Sequence, residues 1–173
     1  MSLIVEDGTG VADAQSGVSV ANADAYFSAR GITAWTGSVP AKEVALISGT
    51  EYAEIKWRGK LKGKLQFPDT QALSFPRVNI CDEEGRAITG VPKDWKAAIC
   101  EYALISLTQV LMPNPVADDS GRIVIEESEG VGPLTETKKY QAGYILLTRP
   151  YPKADSLMSI FIKSSSGSAT CYV

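Results

Sequence analysis

The sequence predicts a mainly α-helical protein, a small bundle of three to four helices with long irregular loops and a short β-hairpin. Apolar residues recur at helical spacing in two long segments that begin at Pro40 and Pro92. Proline suits the first turn of a helix, because its missing N–H would be unbonded there. Glycine and proline interrupt residues 56–91, which argues against long helices there. The length of 173 residues is enough for a single domain, 1–173, with its own core.

Residues 1–18 are expected to form an extended N-terminal arm, because a short apolar run gives way to Gly, Asp, Thr and Ser. A short helix is expected over 21–29. Ser19 and Asn22 are both candidate N-caps, because their side-chain oxygens can accept hydrogen bonds from free backbone donors. Gly31 is the expected end of this helix.

Two longer helices are expected to hold the core. The first covers 40–55, and its apolar stripe consists of Leu46, Thr50, Ala53 and Trp57. The second covers 92–111, where Pro113 and Pro115 stop it. Its stripe consists of Trp95, Ile99, Tyr102, Ser106 and Val110. A helix that is apolar on so much of its surface is expected at the centre of the core.

The C-terminal part of the chain is expected to leave the bundle and return to it. An acidic loop and β-hairpin excursion is expected at 116–140, with one strand at 121–125 and its partner at 135–139. A last helix is expected over 152–162. Residues 163–173 are expected to be a flexible tail, because serine and glycine dominate their composition.

The composition argues against a catalytic centre. The chain has no histidine, which removes the commonest general base and the usual metal ligand. It also lacks a paired-carboxylate arrangement, a calcium-loop spacing and a phosphate-binding glycine loop. We therefore expect no enzyme, no cofactor and no metal site. The balance of 17 basic and 20 acidic residues argues against a general nucleic-acid coat.

Cysteine usage and the lack of targeting signals indicate where the protein works. Cys81, Cys100 and Cys171 are far apart and are expected to be reduced thiols in a cytosolic product. The N-terminus has no basic region, and no apolar stretch approaches the roughly 20 residues that span a membrane. The protein is therefore expected to stay where it is made, or to join an assembly there.

A row of cations is the first candidate contact surface. Its members recur at every second position and are Lys56, Arg58, Lys60, Lys62 and Lys64. In an extended strand they would share one face, with Trp57, Leu61 and Leu65 on the other. Such a row predicts either a contact with a phosphate backbone, with Trp57 stacked on a base, or a solvated edge that meets a protein partner.

Two further sets of charged residues accompany this row. Arg77 ends a Phe-Pro-Arg corner (75–77), where it is expected either to bond helix-terminal carbonyls or a carboxylate, or to contact a partner or DNA. The second set is an acidic loop at 116–133, in which Arg122 is the one basic residue. Its members are Asp118, Asp119, Glu126, Glu127 and Glu129.

The order of several short motifs resembles a known family. The motifs are Ser-Val-Ala-Asn-Ala-Asp-Ala-Tyr-Phe (19–27), Trp35, Ala-Leu-Ile…Thr-Glu-Tyr (45–52), Trp-Arg-Gly-Lys (57–60), Gln-Ala-Leu (71–73), Phe-Pro-Arg (75–77), Val-Pro (91–92) and Val-Gly-Pro-Leu (131–134). Together they make the chain similar to tailed-phage head-tail connector proteins, the adaptors that complete the head. The same family is also called DnaT-like single-stranded-DNA-binding proteins. Phe75 stands where the family pattern has Trp.

The resemblance implies a structural protein of the virion neck, assembled in the host cytoplasm. Such an adaptor forms a homo-oligomeric ring on the portal protein, meets a tail-side neck protein, and lets packaged DNA pass through its channel. The lysine row is then expected to meet the acidic loop of an adjacent subunit, because ring interfaces join two different surfaces. The alternative is a single-stranded-DNA-binding accessory protein of replication, for which steep salt dependence would be diagnostic.

Overall fold

The computed structural model describes residues 3–82, 84–114 and 148–163, together with the backbone of two strands between 124 and 140. The elements in chain order are α1 Val20–Ser28, α2 Val39–Trp57, a 3₁₀ turn Arg58–Lys60, β1 Lys64–Leu65, β2 Arg77–Val78, α3 Lys93–Ser106, β3 Val124–Glu129, β4 Glu136–Tyr140 and α4 Pro152–Ser159. The predicted fold class, mainly α with long loops and a short hairpin, is confirmed.

The chain divides into two compact units. The first unit comprises Met1–Leu111 and Pro150–Val173, and it holds all four helices. The second unit comprises Met112–Arg149 and holds the hairpin of β3 and β4. The expected extents of the N-terminal arm (1–18) and of the flexible tail (163–173) stay predictions, and residues 164–173 lie outside the described part.

Helix α1 begins and ends close to where the sequence predicts. The Ser19 hydroxyl accepts a hydrogen bond from the Asn22 amide at 3.2 Å, so Ser19 is the N-cap of the two candidates. Ala23 and Phe27 face the core. Gly31 follows the helix with a φ of 64°. Glycine adopts this left-handed conformation without steric strain, because it has no Cβ.

Helices α2 and α3 form the centre of the core. Leu46, Thr50 and Ala53 are buried on α2 as predicted. The backbones of the two helices are close together at Gly49, where an added Cβ would lie 2.8 Å from the Ala103 nitrogen and 2.9 Å from the Ile99 oxygen. Only glycine permits this approach without movement of the backbone.

Helix α3 is shorter than the sequence predicts. It ends at Ser106 rather than at residue 111, and Val110 is 69% exposed instead of buried. The side-chain hydroxyl of Ser106 donates to the Ala103 carbonyl at 2.8 Å, and that of Thr108 donates to the Ile105 carbonyl at 3.1 Å. These hydroxyls act as hydrogen-bond donors to the last carbonyls of the helix and compete with its continuation. The spacing of apolar residues alone does not reveal this competition.

The connection between α2 and α3 is pinned to the core by one aromatic residue. Phe75 is fully buried, precedes a cis proline, and packs against Trp95 and Phe161 at ring-centroid distances of 5.2 and 5.1 Å. Close by, β1 pairs antiparallel with β2, with Leu65 opposite Arg77. The Phe-Pro-Arg corner therefore has a structural role in this fold.

Helix α4 ends at Ser159, three residues before the expected end at 162. The chain then becomes extended, and Ile162 forms an antiparallel bridge with Leu61. The Lys62 amide donates to the Phe161 carbonyl at 2.8 Å, and the Lys163 amide donates to the Lys60 carbonyl at 2.9 Å. Residues 161–163 thus form backbone hydrogen bonds with Lys60 and Lys62 instead of continuing the helix. Because these partners are distant in sequence, no local pattern predicts where α4 ends.

The second unit is an antiparallel hairpin in which acidic and basic positions are paired. The register places Glu126 opposite Lys139 and Glu127 opposite Lys138 as Cα partners. The strand expected at 121–125 is shifted, because β3 covers Val124–Glu129. The basic positions opposite Glu126 and Glu127 lie outside residues 116–133, where Arg122 is the one basic residue in sequence.

The expectation of three reduced thiols is also wrong. Cys81 is disulfide-bonded, whereas Cys100 is free and buried in α3. The expectation rested on the redox state of a compartment, which says nothing about which thiols the fold brings together. In the described ranges, no helix has both the length and the apolar character needed to cross a membrane.

Candidate nucleic-acid interface

The cations of the lysine row do not form an extended strand. Helix α2 continues through Lys56 and Trp57, and residues 58–60 form a 3₁₀ turn. Gly63 then adopts a φ of 68°, which breaks the alternation before β1. The prediction of five cations on one strand face is therefore wrong. Residues two apart in a helix or a 3₁₀ turn point in different directions, so consecutive members of the row contact different parts of the protein.

Lys56 lies inside the protein. Its side chain is 8% exposed, and its ammonium group lies 2.7 and 2.8 Å from the two carboxylate oxygens of Asp155. The Tyr102 hydroxyl donates to Asp155 Oδ1 at 2.6 Å, and the Tyr151 amide donates to Oδ2 at 2.9 Å. Burial, followed by the bond to Asp155, raises the pKa of Tyr102 above its ordinary range. Lys56 thus joins α2 to α4 and is not offered to a ligand.

Arg58 braces the loop that follows β1. Its Nη1 donates to Glu54 Oε2 at 3.4 Å and to the Ala72 carbonyl at 3.1 Å. Glu54 also accepts hydrogen bonds from the amide and the hydroxyl of Ser74 at 2.9 and 2.7 Å. Burial raises the pKa of Glu54, and the bonds from Ser74 oppose that effect.

Arg77 is a buried support for the backbone. It is 7% exposed, and it donates to three loop carbonyls, at 2.7 Å to Lys62, at 2.9 Å to Gly63 and at 3.3 Å to Ser74. Burial lowers the pKa of its guanidinium. The expected partners, helix-terminal carbonyls or a carboxylate, are replaced by loop carbonyls, because β2 places Arg77 beside the turn before β1.

Three lysines remain exposed where the chain after α2 meets the chain after α4. Lys60, Lys64 and Lys163 are exposed, and their ammonium groups form no ion pair with any residue that the structure describes. We call these three residues the lysine patch. Leu61, which lies between Lys60 and Lys62 in the pairing, is 1% exposed and faces the core.

The two chain segments that carry the lysine patch contain no acidic residue, although Asp82, Glu84 and Asp94 line a cleft beside Ile160 and Phe161. Neither 56–68 nor 156–163 contains an Asp or a Glu. Lys62 lies within the patch, but its ammonium group donates to the Ile160 carbonyl at the end of α4, at 3.0 Å. The patch is thus a concentration of positive charge on a chain whose net charge is -3, and such a local field attracts anions.

Trp57 is not an open stacking platform. Its indole N–H donates to the Tyr102 hydroxyl at 2.9 Å, and the ammonium groups of Lys56 and Lys60 lie 5.1 and 5.2 Å from its ring centroid. Every aromatic side chain in the described ranges is buried or half-buried. The predicted stacking of Trp57 on a base would therefore require the Lys60 side chain to move.

Sequence reasoning missed one residue of this surface, and the structure does not test its prediction for the acidic loop. Lys163 is brought to Lys60 by a backbone hydrogen bond between segments far apart in the chain, and no local pattern marks it. Asp118 and Asp119 lie outside the described residues. Only the backbone of β3 is described for Glu126, Glu127 and Glu129, so their contact with an adjacent subunit stays a prediction.

Comparison with known proteins assigns the family. A family model described as "Putative DnaT-like ssDNA binding protein" matches residues 1–173. The chain belongs to this family. No curated protein and no solved structure matches the chain. The match covers the whole chain, including both of its compact units.

Proposed function

We propose that this DnaT-like family member binds single-stranded DNA through its lysine patch. The observation that carries the proposal is the backbone hydrogen bond of 2.9 Å that brings Lys163 to Lys60, four residues before Lys64. All three lysines are exposed and form no ion pair among the described residues. The family description, which names single-stranded DNA, supports the same ligand.

The chemistry of the patch favours contact with phosphates rather than with base edges. Lysine presents a point charge on a flexible stem, and it lacks the planar fork with which arginine reads guanine or clamps a phosphate. Contacts to phosphate position a strand but carry no sequence information. We therefore expect binding with little sequence preference.

The size of the patch sets the expected salt dependence. Three lysines contact about three phosphates, and each contact with a single strand contributes about -0.7 to the slope of log K against log salt concentration. The expected slope is about -2. A protein with an aromatic platform would retain affinity at high salt through stacking, worth about 1–3 kcal/mol per base. The aromatic side chains of the described residues are buried or half-buried and do not provide such a platform.

The test is a fluorescence-anisotropy titration of a labelled single-stranded oligonucleotide at about 50 and 200 mM salt, a range over which phosphate contacts weaken strongly. The proposal expects binding at the lower concentration that falls with a slope of about -2. Absence of binding at the lower concentration would overturn it. A slope near zero would also contradict it, because it would assign the affinity to groups other than the lysine patch.

A second candidate function, the head-tail adaptor of a phage neck, is favoured by one surface of α2. Val44 and Ile55 are 61% and 62% exposed, and they lie about three helical turns apart on the same side of the helix. Exposed apolar side chains that share a face are typical of contacts between proteins. In the adaptor these contacts would join subunits of a ring, or join the ring to the portal protein and the tail-side neck protein.

The adaptor candidate has its own test. Size-exclusion chromatography with light scattering, with and without a purified portal protein, should detect a ring or a portal complex in the absence of DNA. The variant Val44→Asp/Ile55→Asp should abolish that assembly, and Lys60→Gln/Lys64→Gln should weaken it, because the lysine row is expected to meet the acidic loop of an adjacent subunit. A monomer that ignores the portal would contradict the adaptor role.

A further inference from the structure

The lysine patch is built from two segments that are distant in the sequence. Lys60 and Lys64 follow α2, whereas Lys163 follows α4 in an extended stretch, residues 160–163, that we call the C-terminal segment. A single bridge, Leu61 with Ile162, and two flanking backbone hydrogen bonds of 2.8 and 2.9 Å connect the two segments. So short a pairing is not stable by itself in water, and side chains must hold the C-terminal segment in place.

Phe161 supplies the main support. It is 1% exposed, and its ring packs against Phe75 at a centroid distance of 5.1 Å. The Lys62 ammonium group adds a hydrogen bond of 3.0 Å to the Ile160 carbonyl. Through these contacts the C-terminal segment carries the Lys163 backbone to within 2.9 Å of Lys60.

We infer that Lys163 is a binding residue for the DNA strand, that Phe161 is its positioning residue, and that docking of the C-terminal segment is linked to ligand binding. This inference rests on the proposed function. It adds Lys163, which lies outside the alternating row, to the binding site. The complete site then forms only when the packing of Phe161 on Phe75 holds the C-terminal segment in place.

The physical basis of the linkage is repulsion between like charges. Docking brings the Lys163 backbone beside Lys60 and Lys62, and neither segment contains an acidic residue, whereas Asp82, Glu84 and Asp94 line a cleft beside Ile160 and Phe161. A phosphate strand across these ammonium groups removes the repulsion and so favours the docked segment. The two equilibria are linked reciprocally. If bound DNA favours the docked segment by a given factor, a substitution that releases the segment weakens DNA binding by the same factor.

The test uses two matched substitutions in the full-length chain. Phe161→Leu weakens the support of the C-terminal segment without changing any charge. Phe27→Leu is the control, because Phe27 is also 1% exposed and also packs on an aromatic ring, that of Trp35 at 4.9 Å. Both variants remain folded by circular dichroism if leucine fills most of each site.

The expected result is specific to the C-terminal segment. Phe161→Leu should weaken binding of a labelled single-stranded oligonucleotide and reduce the salt slope by about 0.7, the contribution of one phosphate contact. Phe27→Leu should leave the slope unchanged. Lys163→Gln should reduce the slope by the same amount, and adding it to Phe161→Leu should have little further effect, because both remove the same contact.

A second measurement on the unmodified protein keeps the inference falsifiable if Phe161→Leu fails to fold. Amide hydrogen exchange by NMR should slow at Lys62 and Lys163 when the oligonucleotide is added, because both amides bond across the pairing. Unchanged exchange at both amides, or equal affinities and slopes for Phe161→Leu and Phe27→Leu, would overturn the inference and leave the proposed function standing. No binding by the unmodified protein would overturn both.

Discussion

The ammonium group of Lys56 lies 2.7 Å from Asp155 Oδ2, in an ion pair that joins the end of α2 to the first turn of α4. Lys56 is the first member of a row of cations that alternates perfectly in the sequence. Its burial shows that the fold divides the row: Lys56 is used internally, whereas Lys60 and Lys64 are exposed. Outside the row, Arg77 is buried and Lys163 is exposed. The contact surface is thus a product of tertiary structure.

The Lys56–Asp155 pair is expected to be costly to break. Lys56→Met should lower the free energy of unfolding by about 1–3 kcal/mol, because it leaves the half-buried Asp155 carboxylate without its cation. Urea denaturation followed by circular dichroism measures this loss.

The matched control replaces both partners. Lys56→Met/Asp155→Leu should regain most of the stability, because an apolar pair leaves no uncompensated charge. If the double variant were as unstable as Lys56→Met, the loss would come from packing rather than from the ion pair.

Gly49→Ala should destabilise the protein although alanine is the better helix former. Alanine in a helix gains about 1 kcal/mol over glycine, but the new Cβ would meet the backbone of α3 at 2.8 and 2.9 Å, and overpacking of this kind costs about 1–3 kcal/mol. Gly59→Ala is the control, because its Cβ would have nothing within 4 Å. A thermal midpoint for Gly49→Ala at or above that of Gly59→Ala would argue against the close approach of α2 and α3.

The buried carboxyl of Glu54 predicts a pH dependence of stability. Its folded-state pKa is raised above the ordinary value of 4.5, so the folded chain binds this proton more tightly than the unfolded chain does. Stability contributed by this group therefore falls as pH rises through the folded pKa, and it returns on acidification. Compared with Glu54→Gln, the unmodified protein should gain relative stability as pH is lowered from neutral towards 4.5. Parallel stability curves for the two proteins would contradict this.

Cys100 is expected to resist thiol reagents in the native state. Burial raises the pKa of its thiol to about 12, so at neutral pH it is protonated as well as inaccessible. Iodoacetamide should modify the peptide that contains Cys100 only in denaturant, as measured by mass spectrometry. Rapid native modification at this position would show that α3 opens readily.

The helices were predictable because their signals are local. Ser19 accepts the capping bond that its position suggests, and the prolines near the starts of α2 and α4 lie where the first turn tolerates them. Helix ends were less predictable. Ser106 and Thr108 bond carbonyls of their own helix, and this competition stops α3 while the apolar spacing continues.

The contact surface was only partly predictable because its geometry is non-local. Alternation in the sequence favours a strand, but Lys56 is drawn into α2 by a partner 99 residues away, Asp155. Lys163 reaches Lys60 only because Phe161 anchors the segment after α4. The sequence indicated Lys60 and Lys64 correctly as exposed cations, and it gave no sign of the segment that completes the patch.

The most direct test of the central claim compares two triple variants of equal net charge. Lys60→Gln/Lys64→Gln/Lys163→Gln removes the lysine patch, and Arg30→Gln/Arg149→Gln/Lys153→Gln removes three exposed cations outside it. Anisotropy titrations against a single-stranded oligonucleotide should give a salt slope near zero for the first variant and about -2, the unmodified value, for the second. Equal slopes for the two variants would contradict the assignment of DNA binding to the patch.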